Sequence, residues 1–132
     1  MSPPVEWRHV PAAARELVLI VEDQLASRHA ESFAHWVVYG IPAGATEIPE
    51  GIPEGPRTPQ GYLQGTNDFG HEGWGGPLPP QGDGEHQYWF WVYALREPLG
   101  LEPGKTREEV LAAMRSRRLI LGNGRLIGTY SR

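Results

Sequence analysis

The sequence predicts a layered, mainly β domain with one well-marked helix and a β-hairpin at its C-terminus. Three observations predict it. Runs of strand length at Leu17 to Val21, Phe33 to Ile41 and Gln87 to Leu95 are apolar on both faces, as strands inside a layered β domain are. Twelve of the seventeen glycines and eight of the thirteen prolines fall between Gly40 and Gly84, a density that excludes a long helix there. One segment, after Thr106, joins a helix start signal to helical spacing.

Leu17 to Val21 is a continuous branched apolar run that meets Glu22-Asp23, a buried strand ending at a polar edge. Period-two alternation puts Asp23 on the face of Leu17, Leu19 and Val21. In the second strand it puts Phe33, His35, Val37, Tyr39 and Ile41 on one face and Ala34, Trp36 and Val38 on the other. In the third, Trp89, Trp91, Tyr93 and Leu95 oppose Tyr88, Phe90, Val92 and Ala94, so that His86 and Tyr88 point the same way. Between the second and third strands the connection is long, which is uncommon unless it is functional or disordered. Its Tyr62, Leu63, Phe69 and Trp74 favour order. Within it, Asn67 to Tyr88 alternates positions where glycine permits positive φ with positions where proline fixes φ, and then delivers a histidine. Ordered irregular chain of this kind builds sites.

Thr106 with Glu109 three residues on forms a capping box, and Val110, Leu111 and Met114 recur at helical spacing, so a helix is placed over Arg107 to Arg117. Leu119 to Leu121 and Leu126 to Tyr130 flank Gly122-Asn123-Gly124, the Asn-Gly signal of a hairpin.

The 132 residues suit a single domain, residues 1–132, burying roughly 65% of the surface its unfolded chain would expose. A formal charge of −4 gives no electrostatic case for nucleic acid, and seven of the twelve basic residues gather in Lys105 to Arg132 as a solvated face. The chain has no cysteine, which excludes thiol nucleophiles and disulfides. Met1 to Val10 lacks the apolar core of a signal peptide, and no apolar run reaches the ~18 residues of a membrane span. A protein that does not span the membrane, located in the cytoplasm, is the expectation.

Asp23, His35 and His86 each sit on or at the end of a predicted strand beside large apolar residues, where polar side chains need partners. Each alone reads as a structural hydrogen bond. Together they can form an imidazole pair that binds an anion, with a carboxylate accepting from one ring nitrogen and leaving the other to donate to a phosphate oxygen. The same residue types could make a two-histidine, one-carboxylate metal site and so a metal-dependent hydrolase, but no H-x-H or H-x-x-x-H spacing supports it. Ser27, Ser32 and Thr66 stand in no Gly-x-Ser-x-Gly elbow. Gly73, Gly75 and Gly76 lead into Pro77, Pro79 and Pro80 rather than a helix, so they form no dinucleotide loop and imply no cofactor. They do permit close approach of backbone N–H groups to an anion, with Trp74 either a core plug or a pocket wall.

Six segments in order, Ser2-Pro3-Pro4-Val5-Glu6-Trp7, Leu19 to Asp23, Phe33 to Tyr39, Gly65 to Gly70, Gly73 to Pro80 and His86-Gln87-Tyr88, resemble the phosphatidylethanolamine-binding protein family in its short bacterial, Raf-kinase-inhibitor-like branch. The resemblance spans nearly the whole chain. It implies an antiparallel β-sandwich with one or two short helices and an anion pocket at one end, formed by Asp23, His35, Gly75, Gly76, Pro77, His86 and Tyr88 with Trp74 at its edge. It also implies a non-enzymatic protein that binds a phosphate or phosphorylated head group. An interaction or enzyme-inhibitor module acting through the Gly44 to Gly65 loop, with a vestigial pocket and a protein partner, is the alternative.

Three departures from the family pattern matter. Asp23-Gln24-Leu25-Ala26-Ser27 replaces the usual Asp-Pro-Asp-Ala-Pro, Gln87 replaces an arginine, and Leu78 replaces a cysteine. The chain also begins later than its relatives, which leaves a strand edge expected to be paired in a homodimer or protected by a loop.

Overall fold

A computed structural model describes residues 1–23, 33–76 and 86–130, with the side chains of 86, 87 and 125–130 left aside. The domain is mainly β. Its principal sheet has five strands, β2 (Glu16–Asp23), β3 (Phe33–Pro42), β5 (Leu63–Gln64), β6 (His86–Leu95) and β7 (Ile120–Tyr130), in the antiparallel order β5-β3-β2-β6-β7. A second small sheet pairs β1 (Val5–Glu6) with β4 (Glu47–Ile48). Helix α1 (Arg107–Ser116) follows β6.

The central strands are buried on both faces because both faces are covered, as their apolar runs required. On one face Leu17, Leu19, Val21, Trp36, Val38 and Ile41 pack with Val5, Ile48, Ile52 and Trp74 from the small sheet and the long connection. On the other, Val18, Ile20, Val37, Tyr39 and Leu95 pack with Leu99, Val110, Met114 and Leu119 around α1. The predicted capping box is present: Thr106 Oγ1 accepts from the Glu109 backbone N–H, and the Glu109 carboxylate accepts from Thr106 N–H at 3.0 Å.

Two expectations are corrected. There is no hairpin at Gly122-Asn123-Gly124; β7 runs straight through it, with Gly122, Asn123 and Gly124 opposite Ala94, Tyr93 and Val92. The Asn-Gly signal assumes that its two flanking runs pair with each other, whereas β6 offers one long edge that takes up both. Period two also fails along β3. Ile41 packs with Trp36 and Val38, not with Val37 and Tyr39, because the register against β2 slips between Leu17 and Leu19, at Gly40 with φ 67°. Such a left-handed position suits glycine, and the extra residue reverses the alternation.

The connection between β4 and β6 is anchored by a buried amide. Gln64, with 0% of its surface exposed, accepts from Trp36 Nε1 at 2.8 Å and donates to the carbonyls of Pro53 and Gly55 at 2.9 and 3.1 Å. One buried side chain thus satisfies a buried indole and two loop carbonyls. Gln64→Leu, close in volume, leaves all three unpaired. We expect a loss of about 2–3 kcal/mol in urea unfolding, with a cooperative transition retained.

Candidate functional site

The site begins at an irregularity in β3. Val21 pairs with Trp36 and Glu22 with Ala34, so His35 is an extra residue, a β-bulge. A bulge re-aims a side chain, and here it turns His35 away from Val37 and toward Asp23, Trp74 and Tyr88. It also brings main-chain groups of two successive residues to the outer edge of β3, where the loop after Gln64 binds them. Ala34 N–H donates to Asp68 Oδ2 at 2.7 Å and Asp68 N–H donates to Ala34 O at 2.9 Å. Gly75 N–H donates to His35 O at 2.8 Å, and His35 Nδ1 meets Gly75 O at 2.7 Å. The loop between these clamps is shaped by buried Asn67, which donates to Gly73 O at 2.9 Å and accepts from the N–H groups of Phe69 and His71 at 2.9 and 3.2 Å.

Because Gly75 O can only accept, His35 Nδ1 carries a proton, and in the neutral ring Nε2 is the bare nitrogen. Nε2 lies 3.8 Å from Asp23 Oδ2, an ion-pair distance too long for a hydrogen bond. For His35 the Gly75 carbonyl orients the ring, and Asp23 faces the nitrogen left over; the His86 ring, the other imidazole that Asp23 could orient, lies outside the described residues. Asp23 and His35 are each only 4% exposed. Burial pushes the His35 pKa below its ordinary value of about 6.5, against the opposing pull of the Gly75 carbonyl and the Asp23 and Asp68 carboxylates.

Aromatic rings surround the imidazole. Phe33, Tyr88, Phe69 and Trp74 have centroids 5.1, 5.2, 5.8 and 6.0 Å from it. Phe33 and Tyr88 are there because each is the cross-strand partner of Asp23, one in β3 and one in β6. Phe69 is 48% exposed and forms the outer rim, its ring edge-on to Phe33 at 4.7 Å. Trp74 Nε1 and His35 Nε2 are both buried and have no hydrogen-bond partner among the described residues. A side chain at Gly76 would press on that indole nitrogen at 3.3 Å, so glycine keeps the approach to it open.

Of the residues expected from sequence, the structure brings together Asp23, His35, Trp74, Gly75 and Tyr88, with Gly76 adjoining. His86 begins β6, opposite Tyr130 and two residues before Tyr88; its side chain is outside the described residues. Pro77 and Leu78 lie outside them too, as do Gln24 to Ser27, where the family pattern is altered, and the side chain of Gln87. Sequence reasoning missed the roles of Asn67, Asp68, Phe33 and Phe69. The Asn67-Asp68 pair before Gly70 carries an Asx-turn signal that could have found the first two. Among the described residues, no three His, Asp or Glu side chains group as metal ligands, and no helix is long and apolar enough to cross a membrane.

Comparison with known proteins agrees with this architecture. The family model for phosphatidylethanolamine-binding proteins matches residues 1–131. A UPF0098 protein of Methanothermobacter thermautotrophicus is 43% identical over 132 residues, covering 100% of this chain and 83% of its own. The lipoprotein LppC of Mycobacterium tuberculosis is 38% identical over 130 residues, 98% of this chain and 60% of its own. Among solved structures, a protein of Chlamydia trachomatis described as a phosphatidylethanolamine-binding protein homolog superposes with a TM-score of 0.84 at 36% identity, over 99% of this chain and 81% of that one. Escherichia coli YbcL does so with the same TM-score at 29% identity, over 99% and 80%.

The buried imidazole makes stability depend on pH. A histidine whose pKa is lowered on folding contributes stability that is complete above about pH 6.5 and is lost as pH falls toward the folded value. Urea unfolding of the ligand-free protein should show this decline between pH 7 and pH 5, and His35→Gln should flatten it.

Proposed function

Since the chain belongs to the phosphatidylethanolamine-binding protein family, we propose that it is a non-enzymatic binding protein whose His35 pocket takes a phosphate-like anion. The observation that carries this reading is the pair of buried ring nitrogens, His35 Nε2 and Trp74 Nε1, that lack a hydrogen-bond partner among the described residues, on rings that adjoin each other. Buried polar atoms without partners are costly, and a bound oxyanion repays that cost with acceptor oxygens.

The indole can only donate, so it selects an acceptor. His35 Nε2 donates once it is protonated, and an anion beside it favours that state. Asp23 then steadies the imidazolium rather than fixing its tautomer. His86 and Pro77 complete the pocket in this reading, with Gly75 and Gly76 offering backbone and Tyr88 the inner wall.

Binding is thus coupled to proton uptake, and its pH dependence follows. Because burial holds the His35 pKa below its ordinary value, the ring is neutral in the empty pocket at neutral pH, and affinity for the anion should rise as pH falls from neutrality toward that lowered value, by at most tenfold per unit for one proton taken up. Titration with phosphate or phosphoethanolamine, followed by the ring resonances of His35 and His86, tests this. We expect both to shift, and His86→Ala to abolish binding while unfolding stays cooperative. Unperturbed resonances at millimolar ligand would sink the reading, and unfolding of His86→Ala by itself would make that histidine structural.

A further inference from the structure

The face of the sheet that carries His35 has a second recess at its opposite end. Two cross-strand rows shrink toward the sheet edge: Leu17, Ala94 and Gly122 in one, Leu19, Val92 and Gly124 in the other. Side-chain volume falls to nothing at β7, and a Cβ added to Gly122 or Gly124 would meet no atom within 4 Å. Glycine inside a strand often marks where another group approaches closely.

What closes the recess on its far side is the chain after β1. Trp7 is held by its Nε1 donating to Ala45 O at 2.8 Å, and the backbone bends at His9, with φ 62°, so that Val10 and Pro11 face the β6 and β7 floor. The result is a cleft of about 280 Å³ with an apolar floor, an indole wall and Arg8 at its mouth. Among the described residues that line it, Arg8 is the one with a formal charge.

We propose that this cleft is a second ligand site, selective for a small organic anion with a flat apolar body. The body lies over the floor left by Gly122 and Gly124 against Trp7, and the acidic group pairs with the Arg8 guanidinium, which presents a fork matched to carboxylate or sulfonate. The site is independent of the phosphate pocket. The Leu17 and Asp23 ends of β2 are roughly 20 Å apart at ~3.3 Å per residue, and no described residue lines both.

The probe is 8-anilinonaphthalene-1-sulfonate, a flat apolar body with one sulfonate, titrated by fluorescence and calorimetry into the folded protein. We expect saturable binding at one site, with the Trp7 indole resonance shifting. Gly124→Val fills the cleft with a side chain suited to strands and should weaken binding at least tenfold while leaving the phosphate response of His35 unchanged. Arg8→Gln should weaken it about fivefold, and should have no effect on the sulfonate-free analogue, N-phenyl-1-naphthylamine. Absence of saturable binding up to 1 mM, roughly the weak end of useful affinities, would overturn the proposal. Binding indifferent to Gly124→Val would overturn it as well, because the probe would then sit elsewhere. So would a dimer in sedimentation that Gly124→Val dissociates, because a second copy would then be the occupant.

Discussion

The reciprocal clamp between the β3 bulge and the loop after Gln64 is the constraint on which the candidate site depends. Four short contacts, two between Ala34 and Asp68 and two between His35 and Gly75, bind a strand edge to irregular chain. Three of them satisfy main-chain groups of β3, Ala34 N–H, Ala34 O and His35 O, that the strand's outer edge would otherwise leave to solvent. One of them also sets the tautomer of the histidine. Backbone order and side-chain chemistry are therefore established by the same bonds, and a change that loosened the loop would alter the proton inventory of His35 along with its position.

The buried surroundings of His35 pull in two directions. Desolvation favours the neutral ring, whereas the Gly75 carbonyl and Asp23 favour the charged one. In the empty protein desolvation dominates. Four aromatic rings keep water away and at the same time present π-systems to any imidazolium that forms, a favourable contact for a cation. A ring balanced in this manner is sensitive to any change in the charge around it. Rigidity comes from elsewhere: Gln64 and Asn67, both buried, direct their amides to loop carbonyls, loop N–H groups and the Trp36 indole.

The two faces of the principal sheet are put to different uses. The face toward α1 is packed by Val110, Met114 and Leu119 and holds the domain together. The other carries the imidazole pocket at the Asp23 end of β2 and the glycine-floored cleft at the Leu17 end, with Trp36, Val38 and Leu19 packed in between.

The sequence by itself determined three long strands, the helix and several of the residues that the structure gathers around His35. Both-sided apolar runs, the Thr106 and Glu109 box and the glycine-rich stretch before His86 are local signals, and local physics reads them. Asp23 was placed on its proper face because β2 has no bulge of its own. Tertiary structure decided the rest. The bulges at Gly40 and His35 reverse alternation at points that no periodicity announces, since each depends on how β3 registers against β2. The Gly122-Asn123-Gly124 turn signal was overridden because β6 supplied a longer partner than the hairpin could. The His35 tautomer rests on Gly75, forty residues away, and a contact at that separation exists only once the loop has docked.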